Sequence, residues 1–196
     1  MKRTFPMITR IQQAISRHPV FFSILILATS AAWIGYTAAV FPTTKNGLTP
    51  APKEGFLAPD FTLSTPDGQV YSLSELRGRP LLINFWATWC PPCQAEMPAM
   101  QRIYKQYQEQ GFLILAINAT HQDNQADILD FSREYGLTFP FLLDMDGTVS
   151  QQYLVHAFPS SYFVDSQGTI SEVVIGGPIA EALLETRVET LFSGGR

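Results

Sequence analysis

Cys90 and Cys93 are the only cysteines of the chain, and just Pro91 and Pro92 separate them. A ring that small removes little entropy from an unfolded chain, so a bridge across it adds almost nothing to stability. The pair therefore reads as chemistry rather than as a staple. The attacking species in disulfide exchange is a thiolate, which is favoured where helix N-terminal amides and the helix macrodipole meet the sulfur. Cys90 stands at such a place, between an apolar run and a helical one, and is expected to be the exposed, easily ionised nucleophile. Cys93, one turn on, is placed to resolve a mixed disulfide on Cys90. Neither proline has an N–H, so Cys93 supplies the nearest free backbone amide, which predicts a moderately lowered thiol pKa better suited to a reductant than to a strong oxidant. Half of a zinc site is the competing reading. Zinc generally needs four ligands, but there is no second Cys pair and the histidines are His18, His121 and His156. No metal or other cofactor is expected.

Glu96 follows Cys93 by three residues and has two readings. It complements the helix dipole from a solvated face, or it is a partly buried carboxylate that takes the proton of the resolving thiol and raises both thiol pKa values. Of the nearby tryptophans, Trp86 reads as core and Trp89 as part of the contact surface.

These residues need a strand and a helix to position them. Leu81 to Trp86 is a short apolar run of the kind found in a central strand buried on both faces. From Pro91 to about Gln110, Met97, Met100, Ile103, Tyr104 and Tyr107 recur at helical spacing. Gly111 ends that helix, and Pro98 is expected to kink it. Upstream, Phe61–Leu63 and Val70–Leu73 flank Pro66-Asp67-Gly68 as a β-hairpin. Downstream, the pattern predicts a strand at Phe112–Ile117, a helix at Asp123–Tyr135 capped by Asp123 and stopped by Gly136, and a short strand at Phe139–Leu143. Ser161–Val164 and Thr169–Ile175 form an antiparallel hairpin, and a last helix covers about Ile179–Phe192. The alternation implies parallel strands with crossover helices, an α/β fold.

The 196 residues suffice for one well-cored domain and an appendage. The net charge of −4 is unevenly spread: Lys2, Arg3, Arg10 and Arg17 open the chain unopposed, and all 17 acidic residues come after residue 50. So acidic a domain does not suit nucleic acid, which rewards clustered Lys and Arg. Between Pro19 and Thr44 there is no charged side chain. At helical rise that stretch spans roughly 30 Å, the thickness of a bilayer core. A buried core helix and a cleaved signal peptide ending near Thr37-Ala38-Ala39 are the alternatives to an uncleaved anchor. The positive-inside rule then places residues 1–18 in the cytoplasm, 19–41 in the membrane as a signal-anchor, and 42–59, rich in Pro and Gly, as a tether outside.

LINFWATWCPPCQAEMP resembles the active-site stretch of the ResA/TlpA group of membrane-tethered thioredoxin-like proteins, and APDFTL and YLVHAFPSSYFVDSQG fit the same pattern. The resemblance covers about residues 55–192. It implies a thioredoxin-like fold over 55–196, a central mixed sheet with flanking helices, with an added N-terminal β-hairpin and an α–β insertion near 119–143. It implies protein disulfides as substrates, notably the oxidised C-x-x-C-H haem site of apocytochrome c in cytochrome c biogenesis, and a membrane thiol reductant of the CcdA/DsbD type as partner. By the same resemblance Cys90 is the attacking and Cys93 the resolving cysteine, Glu96 the active-site acid and Pro159 a cis-proline opposite the dithiol, with Trp89, Pro92 and Phe158 at the substrate surface. An ordinary strand-edge proline is the plainer reading of Pro159.

Two positions depart from relatives. Asn84 stands where cytosolic thioredoxins carry a buried Asp, which leaves proton transfer to Glu96 or water. Phe158 precedes Pro159 where many relatives have a smaller or aliphatic residue. Two further activities compete on the same fold. Peroxidase chemistry, an antioxidant activity, wants a Thr three residues before the reactive cysteine, where Ala87 stands. A copper-binding assembly protein wants C-x-x-x-C and a downstream His, whereas His156 precedes Pro159.

Overall fold

The computed structural model describes residues 19–40 and 49–193. The chain divides into two units, Met1–Gly47 and Leu48–Arg196. In the first, helix α1 runs Pro19–Val40, 22 residues without a charged side chain. Some of its side chains lie outside the described set, and among the described residues no helix is long and apolar enough to cross a membrane. The expected cytoplasmic segment 1–18 and tether residues 41–48 lie outside the described residues.

In the second unit, strands β1 (Thr62–Ser64), β2 (Val70–Ser72), β3 (Leu81–Trp86), β4 (Leu113–Asn118), β5 (Phe141–Leu143), β6 (Ser160–Val164) and β7 (Ile170–Ile175) form one sheet in the order β2-β1-β5-β4-β3-β6-β7. The strand β3 pairs in parallel with β4 and antiparallel with β6, so the sheet is mixed. Every residue of β3 and β4 is buried, as central strands covered on both faces must be. Successive side chains of β3 point to opposite faces. Leu82 and Trp86 join a core with Met97, Met100 and Ile103 of helix α2 (Pro91–Tyr107), Phe131 of α3 (Gln125–Glu134) and Leu184 of α5 (Glu181–Ser193). Leu81, Ile83 and Phe85 join the opposite core with Phe61, Tyr153 and Tyr162. Asn84, between Ile83 and Phe85, falls on the α2 side with Leu82 and Trp86, and this register brings it to Glu96. Truncating a core ring such as Trp86 costs about 3–5 kcal/mol.

The hairpin, the central strand, the parallel crossover and the insertion, α3 with β5, stand where the sequence places them. Helix α2 begins with two prolines, tolerated because the first-turn N–H groups lack helical partners anyway. It continues through Pro98 to Tyr107, and Gly111 closes the end with φ 99°.

Three expectations are corrected, and one short helix is new. Asp123 does not cap α3: Asn124 does, its side chain accepting from the Ala126 N–H at 3.0 Å, because the Asp123 carboxylate is bound to Thr88. The last helix starts at Glu181 rather than Ile179, whose N–H is given to Glu96. Residues 55–59, which the expected tether (42–59) and the expected domain (55–196) both include, belong with the domain. Gly55 N–H donates to the Ile170 carbonyl, Ala58 N–H to that of Gly168, and Leu57 is 1% exposed. A short helix, α4 (Thr148–Gln152), was not foreseen, for its five residues carry no periodicity. Acceptors before it set its start: Asp146 takes the Thr148 N–H, and Asp144 takes those of Val149 and Ser150.

Candidate active site

The dithiol occupies the junction between β3 and α2. Cys90 and Cys93 are joined in a disulfide. Cys90 is the N-cap of α2, and its Sγ accepts from the Cys93 N–H at 3.3 Å, the amide the two prolines leave available. Exposure is lower than expected for an attacking sulfur. Cys90 is 4% exposed and Cys93 fully buried, because in the bridged state Cys90 opens only into a groove. That groove has a volume of about 380 Å³, and Trp89, Pro92, His156 and Phe158 line it with Cys90. Trp89 is 54% exposed and meets the Phe158 ring edge-on, with centroids 5.8 Å apart.

Behind the dithiol lies a buried polar network. Glu96, in α2 and on the same helical face as Cys93 one turn earlier, is 1% exposed. Its Oε1 accepts from Asn84 Nδ2 at 2.9 Å, and its Oε2 from the Ile179 N–H at 3.2 Å. Asn84 Nδ2 also donates to Ser161 Oγ at 3.0 Å. Burial pushes the Glu96 carboxyl above the usual range, and the bonds from Ile179 and Asn84 pull back without overcoming it. The reading of Glu96 as a solvated dipole partner is thereby excluded. The Phe158–Pro159 peptide is cis and Pro159 is buried, so Pro159 is no ordinary edge proline. A Cβ on Gly177 would come within 2.7 Å of Pro159 Cγ and 2.8 Å of Glu96 Oε2. Only glycine lets this segment close over both groups and deliver the Ile179 N–H.

Ahead of the dithiol is a second network, which the sequence did not announce. Asp123 Oδ2 accepts from the Thr88 N–H at 2.6 Å and Asn118 Nδ2 at 2.8 Å. Its Oδ1 accepts from Thr88 Oγ1 at 2.5 Å and the Asn124 N–H at 2.9 Å. Burial works to raise this carboxyl, but the bonds from Asn118, Thr88 and Asn124 outweigh it and hold the pKa below the usual range. Gln94 Nε2 donates to the Thr88 carbonyl at 2.6 Å and Trp89 Nε1 to the Gln122 carbonyl at 3.0 Å. Among the described residues, no group of three or more His, Cys, Asp or Glu is arranged to hold a metal ion. The arrangement is that of a bridged dithiol, with one sulfur at a helix N-terminus, a buried carboxyl behind it and an aromatic groove in front.

The chain is similar to known proteins in sequence and in fold. Residues 55–173 match the AhpC/TSA family. The thioredoxin-like protein YneN of Bacillus subtilis (strain 168) is 37% identical over 144 residues, 73% of this chain and 84% of that protein. The thiol-disulfide oxidoreductase ResA of Geobacillus thermodenitrificans (strain NG80-2) is 37% identical over 153 residues, 78% and 84% of the two chains. The crystal structure of StoA from Bacillus subtilis superposes with a TM-score of 0.58 at 27% identity, covering 66% of this chain and 96% of StoA. A thiol:disulfide interchange protein of the thioredoxin family from Chlorobium tepidum TLS gives a TM-score of 0.60 at 27% identity, covering 69% and 94%. With its bridged C-x-x-C at the strand-to-helix junction, the chain belongs to the AhpC/TSA family and, within it, to the ResA-like thiol-disulfide oxidoreductases of thioredoxin fold.

Proposed function

We propose that this chain is a membrane-anchored reductase of protein disulfides outside the cytoplasm, with the oxidised C-x-x-C-H haem site of apocytochrome c as its substrate class. The Cys90 thiolate attacks one sulfur of the substrate disulfide and the other leaves as a thiolate. Cys93 then attacks Cys90 Sγ and releases the reduced substrate, leaving the bridge between Cys90 and Cys93. Glu96 takes the proton that Cys93 gives up in that step. Trp89, Pro92, Phe158 and the cis peptide at Pro159 receive the substrate chain in extended form. A membrane thiol reductant of the CcdA/DsbD type reopens the bridge. α1 serves as the single-pass anchor, with residues 1–18 in the cytoplasm and the catalytic domain on the far side. The absence of charge over its 22 residues and the four basic residues ahead of it support this orientation.

The observation that carries the reading is the Cys93 N–H on Cys90 Sγ, with two prolines in place of other donors. One donor and a helix terminus favour a thiolate modestly, which suits a reductant. Equilibrating the pair with glutathione or dithiothreitol checks this. A potential near the thioredoxin value of about −270 mV is expected, and one near −120 mV would make the chain an oxidant. Trapping with Cys93→Ala, which leaves the mixed disulfide unresolved, is expected to capture apocytochrome c. The family match over residues 55–173 supports thiol peroxidase activity as a second reading. Ala87, where that chemistry wants a Thr, weighs against it, and peroxide consumption by the reduced chain separates the two.

A further inference from the structure

The β4–α3 connection, where the insertion begins, is fastened to the turn that carries the dithiol. Thr88, two residues before Cys90, is held on three sides: Asp123 takes its N–H and its hydroxyl, and Gln94 reaches its carbonyl. The next residue, Trp89, is held by its ring N–H on the Gln122 carbonyl. Asp123 accepts four bonds, two on each oxygen, and its two remaining donors are Asn118, the last residue of β4, and Asn124, the N-cap of α3. A carboxylate with four donors has one orientation that satisfies them all, so it fixes the turn to β4. Helix capping does not require it, since Asn124 caps α3.

We propose that Asp123 is a positioning residue for the redox pair, acting through Thr88 to keep Cys90 at the N-terminus of α2 and Trp89 at the edge of the groove. The inference rests on the thiol exchange proposed above and adds a residue to it. Without the latch the turn gains freedom, and Cys90 spends less time against the Cys93 N–H that favours its thiolate. Exchange slows. Loss of the negative charge alone would act the other way, because a nearby carboxylate disfavours a thiolate. The sign of the change therefore distinguishes positioning from field.

The test is the rate at which the reduced, full-length chain reacts with oxidised glutathione at pH 7, in wild type, Thr88→Val, Asp123→Asn, Asp123→Ala and the Thr88→Val/Asp123→Ala double variant. Circular dichroism and urea unfolding confirm that each is folded. Positioning predicts that Asp123→Ala is about tenfold slower and Thr88→Val about threefold slower, and that the double variant is no slower than Asp123→Ala, since both changes cut one link. Asp123→Asn, which loses the same charge but keeps one of the two acceptor oxygens, falls between wild type and Asp123→Ala. Wild-type or faster rates in Asp123→Ala overturn the proposal, as do additive losses in the double variant. Should Asp123→Ala fail to fold, Thr88→Val keeps charge and backbone bond, and an unchanged rate in it is equally decisive. A wild type that exchanges with glutathione but with no protein disulfide would sink the substrate reading and leave the role of Asp123 standing.

Discussion

Glu96 and Asp123 are both carboxylates beside one dithiol, yet their surroundings drive them apart. Glu96 is buried in α2 with two donors, one of them a neutral amide side chain, and burial wins: its carboxyl is pushed up. Asp123 is half-buried with four donors, and the donors win: its carboxyl is pulled down. Desolvation acts against charge in both, so the count of hydrogen bonds to the charged form decides the sign. On the roles proposed for them, the two carboxyls divide the labour. A carboxyl whose pKa is raised is the better fit to take up a proton, and one whose pKa is lowered stays charged and is fit to hold backbone in place.

The largest effect that sharpens this contrast is expected of Asn84→Asp. It replaces the donor 2.9 Å from Glu96 Oε1 with a second carboxyl, and two such groups cannot both ionise in a buried site. Urea unfolding at pH 8 should show a loss of about 3 kcal/mol that shrinks as the pH falls through the raised carboxyl values. A pH-independent loss would show that packing, not charge, decides. Next comes Glu96→Ala, which leaves the Ile179 N–H without its acceptor and Asn84 Nδ2 with Ser161 alone. The expected cost is about 2 kcal/mol, read as a lower urea midpoint of the oxidised chain.

The smallest effects are in pH dependence, and their signs are opposite. The Glu96 pKa is raised on folding, so the folded state holds that proton more tightly. Stability declines as pH rises from the usual glutamate value through the raised one, and Glu96→Gln should flatten that decline. The Asp123 pKa is lowered, so its contribution is complete above the usual aspartate value and fades as pH falls through the lowered one. Asp123→Asn should remove that acid loss. Thermal unfolding of the oxidised proteins across pH 2 to 8 reads both slopes. Slopes of the same sign would end the comparison.

The frame of the fold was legible because it rests on local pattern. The apolar run of β3, the helical spacing of Met97, Met100 and Ile103, and the Pro-Asp-Gly turn each declare an element within a few residues. The sulfur chemistry was legible for the same reason, down to the Cys93 N–H as the one nearby donor. What could not be read depends on partners distant in sequence. Asp123 looks like a helix cap because Asp ahead of a helical run usually is one, and nothing local says that Thr88, 35 residues earlier, claims it. Asn84 appeared only as a missing Asp, whereas in the sheet register it faces α2 and holds Glu96 and Ser161 together. The tether's far end reads as linker because Pro and Gly dominate it, yet its backbone pairs with residues 168–170. A low-periodicity helix such as α4 is invisible for a further reason: acceptors on Asp144 and Asp146 set its start, not its own residues.

Which sulfur does the attacking is measured directly by site-resolved alkylation of the reduced chain at neutral pH. Mass spectrometry after a short pulse of iodoacetamide should find the label on Cys90, with Cys93 modified far more slowly. Label on Cys93 first, or none on Cys90, would contradict the placing of the nucleophile at the N-terminus of α2.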